Sequence, residues 1–230
     1  SHVIFRSSYI NDAKAIIDKA HKVGAHVVLD TFQSLGTVPV DIQALNADFA
    51  CGGVLKWLCG GPGLAYLYVR PDLGKKLEPK LTGWFAHANS FEFATGPINY
   101  ADSPFRFMNG TTHIPSIEAA RPGINIIQKV GVERIREKSK RQTARIIQFA
   151  DRHGWPVNTP RDPERRGGTV SIDMPDAQAV SRVLLARDIL VDWRPKAGVR
   201  FSPHFYNTDA EVDAAMAAVV DILKDRVVTA

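Results

Sequence analysis

With 230 residues and 45% hydrophobic content, the chain is long enough to bury a sizeable core and to hold one large domain or two small ones. No run approaches the roughly 18 apolar residues of a membrane span and no signal-peptide pattern opens the sequence, so the expectation is a soluble, cytoplasmic protein without a membrane partner. The formal charge of +5 and the presence of only two cysteines, Cys51 and Cys59, argue against a disulfide framework or a zinc site and raise nucleic acid as a question to be answered locally.

His2 to Phe5 reads as a strand, so the sequence opens almost inside a sheet and without an initiator methionine. The expectation is that the numbering starts inside a longer polypeptide. Asn11 or Asp12 caps a helix that runs to about Val23 and stops at Gly24. Ala25 to Asp30 is an apolar run that ends in a carboxylate, as in a buried parallel strand. Asp48 to Gly52 is a second strand, a glycine-rich turn around Lys56 follows, and Gly63 to Val69 is a third strand closed by Arg70-Pro71. Leu81 to Gly110, rich in phenylalanine and carrying Pro97 and Pro104, reads as a long ordered loop.

A helical region begins at Pro115, with breaks expected at Pro122-Gly123 and Gly131, and ends at Gly154. Within it Arg134, Arg136, Lys138, Lys140, Arg141, Arg145 and Arg152 surround apolar residues at helical spacing, which predicts an amphipathic helix with a solvated basic face. No aromatics interleave with these cations as a single-strand surface would want, so no nucleic-acid partner is expected. Strands over Thr169–Asp173, Ile189–Asp192 and Val199–Phe201 then alternate with helices near Ala177–Arg187 and Asp209–Lys224. The pattern is α/β over residues 1–135, followed by a small α+β unit over 136–230, with the boundary inside the connecting helix.

Three residues carry chemistry on their own terms. Asp30 closes a strand of an open parallel sheet, where ligands bind beyond the carboxyl ends, although a turn cap is the ordinary alternative. Lys56 stands among apolar residues and glycine pairs in Cys51-Gly52-Gly53-Val54-Leu55-Lys56-Trp57-Leu58-Cys59-Gly60-Gly61-Pro62-Gly63. Desolvation there lowers a lysine pKa and suits the amine to imine formation, whereas a snorkelling surface lysine is the plain alternative. Arg200, on a strand of apolar neighbours, either pairs with a buried carboxylate or faces a ligand. His113 and His204 have no motif of their own and read as structural, and Cys59 reads as a packing residue.

Leu29-Asp30-Thr31-Phe32-Gln33-Ser34-Leu35-Gly36, the Lys56 to Gly63 run and Thr82-Gly83-Trp84-Phe85-Ala86-His87 resemble, in order and spacing, the class V aminotransferases that depend on pyridoxal 5'-phosphate (PLP). Kynureninases are the closest group, and the resemblance extends to Tyr206-Asn207-Thr208. It implies part of a fold-type I (aspartate aminotransferase-like) large domain with a mainly parallel sheet, then a small C-terminal domain. The N-terminal part of the large domain, with its phosphate-binding turn and cofactor-stacking aromatic, is not visible in the chain.

The same resemblance implies roles. Lys56 is the Schiff-base lysine and the proton shuttle at the substrate α-carbon. Asp30 partners the pyridine nitrogen. Gln33, where kynureninases usually have histidine, hydrogen-bonds the cofactor's ring oxygen, and Leu55 stands where they have a phosphate-binding tyrosine. Trp84 lies near the cofactor phosphate and the dimer contact, Gly110 and Thr111 reach the phosphate of the neighbouring subunit's cofactor, and Arg200 clamps the substrate α-carboxylate. The implied protein is a homodimer acting on a small α-amino acid without a metal. Kynureninase-type Cβ–Cγ hydrolysis and transamination stand side by side as reactions, with a non-catalytic fold relative as a further alternative. A cysteine desulfurase would want a reactive cysteine well downstream of the lysine, and none follows Cys59.

Overall fold

The computed structural model describes residues 1–227 and divides its strands between two small sheets. The first unit contains α1 (Ala13–His21), β1 (Val28–Asp30), α2 (Ile42–Leu45), β2 (Phe49–Gly53), β3 (Ala65–Val69) and α3 (Pro71–Gly74). Asp12 starts α1 by accepting from Ala15 N at 3.0 Å, the ordinary capping bond. In the sheet, β1 and β2 are parallel, with Asp30 opposite Cys51, and β3 is added antiparallel to β2. Ala13, Ile17, Leu29, Ala47 and Ala50 form its core. Asp48 is almost fully buried yet paired on every side, by Val27 N at 2.8 Å, His21 Nε2 at 2.8 Å, His26 Nδ1 at 3.2 Å and Arg70 Nη1 at 3.1 Å.

The strand expected over His2–Phe5 is only a single bridge between Val3 and Ile10. Its backbone bonds go elsewhere: His2 N to Asp30 O at 2.8 Å, Ile4 N to Tyr9 O at 2.8 Å and Ser8 N to Ile4 O at 2.7 Å. The segment is a strap between the two sheets, because Arg6 O accepts from Ser171 Oγ and Ser8 O from Gly167 N, each at 2.7 Å.

The loop over 81–110 is ordered as expected and holds three short 3-10 turns, at Trp84–Ala86, Ser90–Glu92 and Pro104–Phe107. Buried Arg106 pins it by donating to the carbonyls of Ala101, Lys75 and Leu77 at 2.8, 2.9 and 3.1 Å. Two long helices follow, α4 (Ile114–Val130) and α5 (Val132–Arg152), meeting at Gly131. The break expected at Pro122-Gly123 does not occur. The carbonyl freed by the missing proline N–H belongs to exposed Glu118 and can turn to water. Gly123 lets the helix pass directly over the Lys56 turn, since a Cβ there would lie 2.1 Å from Cys59 O.

The second unit contains β4 (Val170–Ile172), α6 (Ala177–Ala186), β5 (Asp192–Arg194), β6 (Gly198–Phe201) and α7 (Asp209–Val227), with antiparallel strand order β4-β6-β5. Ile146, Val170, Ile172, Leu184, Val199 and Met216 sit in its core. The strand expected over Ile189–Asp192 begins only at Asp192, because Ile189 N closes the end of α6 on Leu184 O at 2.9 Å. The basic face of α5 is also less solvated than expected. Arg136 is buried, Lys140 pairs with Glu164 at 2.7 Å, Arg141 with Asp209 at 3.1 Å, and Arg145 with Asp213. Among the described residues no helix is long and apolar enough to cross a membrane.

Candidate active site

Parallel pairing brings the ends of β1 and β2 to the same edge, and both candidate groups emerge there. Asp30 Oδ1 accepts from Phe32 N at 2.9 Å, which closes the turn after β1, and Oδ2 accepts from Ser1 Oγ at 2.7 Å. Asp30 thus caps a turn, the ordinary alternative, while standing at the carboxyl end of β1. The turn lays the Phe32 ring against β2, where only glycine leaves room, because a Cβ on Gly53 would lie 2.6 Å from the ring. The Lys56 amine also lies over that ring, 4.6 Å from its centroid.

Lys56 is more exposed than its apolar sequence neighbours suggest. Its amine nevertheless has no hydrogen bond or ion pair among the described residues. Partial burial pushes its pKa down and the charge of Arg200 adds to that, while Asp192 and Asp30 oppose. The expected direction of the shift is thus present, with a neighbouring cation as a second cause. Gln33, in the turn begun by Asp30, is half-buried and its amide makes no hydrogen bond among the described residues.

Arg200 reaches this group from the second unit. On β6 it lies opposite Asp192 of β5 and Ser171 of β4. Its Nε and Nη2 donate to the two oxygens of Asp192 at 2.6 and 2.5 Å, and Nη1 donates to Phe5 O at 2.6 Å. Of the two partners the sequence allows for Arg200, the carboxylate is present. Burial raises the Asp192 carboxyl, but Arg200, with Arg194 and Lys56 behind it, holds it below its ordinary value.

The Lys56 turn is also held by His204, from the segment after β6. His204 is buried, with its ring 5.2 Å from that of Trp57 and stacked on Tyr206 at 4.6 Å. Its Nδ1 accepts from Phe205 N at 2.9 Å, so the neutral ring carries its proton on Nε2, which faces Cys59 Sγ at 3.5 Å. Burial pushes the His204 pKa down, against the backbone of Lys56 and Trp57, and burial raises the Cys59 thiol. Neither Asp192 nor His204 stands out in sequence as part of this group. The signal available was position, since both flank the Arg200 strand.

Trp84, Gly110 and Thr111 form a separate group. Gly83 N bonds Met108 O at 3.1 Å and Phe85 N bonds Asn109 O at 3.3 Å, which sets Trp84 beside the Asn109-Gly110-Thr111 turn. Trp84 stacks on Phe85 at 4.1 Å and meets Phe91 and Phe93 at 5.3 and 6.0 Å, with those two rings exposed. Gly110 and Thr111 are exposed as well. No hydrogen bond, ion pair or ring contact among the described residues links this group to Lys56, Asp30 or Arg200. His113, read as structural, caps α4 by accepting from Ser116 N at 3.3 Å.

Residues 7–215 match the aminotransferase class-V family. The chain is 32% identical over 215 residues to the uncharacterized aminotransferase YcbU of Bacillus subtilis (strain 168), covering 94% of this chain and 56% of that protein. It is 31% identical over 230 residues to the kynureninase of Pseudomonas fluorescens, covering 97% of this chain and 55% of that one. Among solved structures, the apo cysteine desulfurase from Thermococcus onnurineus NA1 is similar with a TM-score of 0.88 at 25% identity, over 97% of this chain and 59% of that chain. The chain spans about half the length of the curated relatives it matches.

Proposed function

The chain belongs to the class V aminotransferase family, and from that membership we propose that it carries the cofactor lysine and substrate clamp of a PLP-dependent enzyme acting on α-amino acids. The observation that carries the reading is the Lys56 amine: it has no hydrogen-bond or ion-pair partner among the described residues, its proton affinity is lowered, and Asp30 and Arg200 lie within electrostatic reach. These residues fit PLP, which needs an amine free to link to its aldehyde and a carboxylate for its ring nitrogen. When bound, PLP supplies an electron sink for a bond broken at the substrate α-carbon.

The protein's own groups do the rest. Lys56 would hold the cofactor and would be the group to move a proton at the substrate α-carbon. Asp30 would be the carboxylate for the pyridine nitrogen, and Gln33 would offer an amide donor to the cofactor ring. Arg200 holds the substrate carboxylate by charge-assisted bonds. Gly110 and Thr111 would serve the phosphate of the neighbouring subunit's cofactor in a homodimer, with Trp84 near the phosphate and the dimer contact, in keeping with the separation of this group from Lys56 within one chain. The division into residues 1–135 and 136–230 belongs to the same reading, and a reducing cytoplasm suits the free thiols of Cys51 and Cys59.

For the reaction, Cβ–Cγ hydrolysis of the kynureninase type is supported by the resemblance around Gly83-Trp84-Phe85 and by the kynureninase relatives. Transamination is the second reading, favoured by Gln33 and Leu55, which depart from the kynureninase pattern. Sulfur transfer is not proposed: Cys59 lies three residues after Lys56 in sequence, half-buried, with a thiol pKa raised by burial. Product analysis of the complete PLP-loaded protein decides. L-Kynurenine yielding anthranilate and alanine identifies the hydrolase, and an amino group passed to a 2-oxo acid identifies the transaminase. Neither product from a panel of common amino acids would overturn the enzymatic reading.

A further inference from the structure

Every arm of the Arg200 guanidinium is already engaged by the protein, which at first sight conflicts with a clamp. A count of hydrogens removes the conflict. A guanidinium has five N–H groups, one on Nε and two on each terminal nitrogen. Asp192 takes the Nε hydrogen and one from Nη2, at 2.6 and 2.5 Å, and Phe5 O takes one from Nη1 at 2.6 Å. One hydrogen is left on Nη1 and one on Nη2, the number that a carboxylate needs for a two-pronged bond.

We propose that Asp192 is a positioning residue that fixes the Arg200 guanidinium and leaves its remaining pair of donors for the substrate carboxylate. This rests on the reading of Arg200 as the clamp. The pair is built into the sheet: Asp192 and Arg200 are directly opposed on antiparallel β5 and β6, so their side chains leave the same face a short distance apart whether or not a ligand is present. The guanidinium also lies over the Phe5 ring, 5.5 Å from its centroid, which restrains it from another side. Asp192 does not cancel the local positive charge, because Arg194 Nη2 shares Oδ2 at 3.1 Å, so two arginines surround one aspartate. The opposite account makes Asp192 a stand-in for the substrate carboxylate that must be displaced on binding.

The test uses the complete PLP-loaded protein and two probes, L-alanine and its carboxylate-free counterpart ethylamine, with dissociation constants taken from visible absorbance titrations. Arg200→Lys, which loses the fork, weakens L-alanine by about tenfold or more and leaves ethylamine unchanged. Asp192→Asn shows the same selectivity with a loss of about three- to tenfold, the scale of one ordinary hydrogen bond, because Arg200 keeps its own charge and fork. Asp192→Glu, which keeps the carboxylate one methylene away, shows a smaller selective loss and serves if the asparagine variant does not fold. Unchanged or tighter L-alanine binding in the Asp192 variants, beside weakening in Arg200→Lys, overturns the proposal and leaves the clamp standing. Equal weakening of both probes overturns it in favour of a general structural role. No effect of Arg200→Lys on L-alanine removes the clamp and the proposal together.

Discussion

His204 packs against the Lys56 turn without belonging to any motif. Its imidazole is buried under the Lys56 turn, bonded through Nδ1 to Phe205 N and facing Cys59 through Nε2. Burial lowers its pKa, which fixes the sign of a pH effect. In the unfolded chain the ring takes up a proton near about pH 6.5, whereas the folded protein keeps it neutral to lower pH. Below about pH 6.5 the unfolded state therefore binds more protons, and stability falls as pH falls towards the folded value. His2, also buried with a lowered pKa, acts in the same direction. His204→Gln should thus reduce, without abolishing, the drop in melting temperature between about pH 7 and pH 5. An unchanged slope would contradict this account of the ring. At this scale the sequence made Asp30, Lys56 and Arg200 visible, because a charged group beside apolar neighbours is conspicuous in one dimension. It did not show Asp192 as the partner of Arg200 or His204 as the partner of the turn, because strand pairing and ring stacking decide those contacts.

Elements were legible where local pattern and tertiary packing agree. The cap of α1, the approximate spans of α6 and α7 and the strands β1 and β2 follow from periodicity and turn residues. Three elements differ from expectation, each for a named cause; the first, His2–Phe5, is a strap rather than a strand because its backbone groups bond Asp30, Tyr9 and Ser8. Ile189, Leu190 and Val191 look like a strand, yet Ile189 closes α6 and Leu190 is 87% exposed. Pro122-Gly123 looks like a break, yet α4 continues because the carbonyl left by the proline belongs to exposed Glu118, while Gly123 lets the helix ride over the Cys59 carbonyl. That contact makes a prediction in which two effects oppose. Replacing an interior helical glycine by alanine ordinarily stabilises by about 1 kcal/mol. A Cβ 2.1 Å from Cys59 O must instead displace the helix or the lysine turn, and overpacking of this kind costs about 1–3 kcal/mol. Gly123→Ala is expected to lower the melting temperature and shift the visible spectrum of the PLP-loaded protein. A more stable variant with an unaltered spectrum would show that α4 does not hold the turn.

Across the whole molecule, the proposed site residues fall into two groups. Lys56, Asp30 and Arg200 converge by joining both sheets, while Trp84, Gly110 and Thr111 stand apart with exposed aromatics beside them. The motif order in sequence conveyed the first convergence only through family resemblance, since composition and spacing say nothing about which loops meet. The separation of the second group was likewise conveyed only by that resemblance, which implies that Gly110 and Thr111 reach the neighbouring subunit's cofactor. If it serves the neighbouring subunit, mixing inactive Lys56→Ala with inactive Thr111→Ala should restore part of the activity in the mixed dimers. No recovery despite demonstrated subunit exchange would mean that each chain completes its site alone. Every role assigned above depends on Lys56 being the residue that holds the cofactor. Reduction of the complete, PLP-loaded protein with borohydride followed by peptide mapping tests this most directly. The account predicts the reduced cofactor on the peptide containing Lys56 and loss of the label in Lys56→Ala; a label on another lysine, or undiminished labelling of the variant, would contradict it.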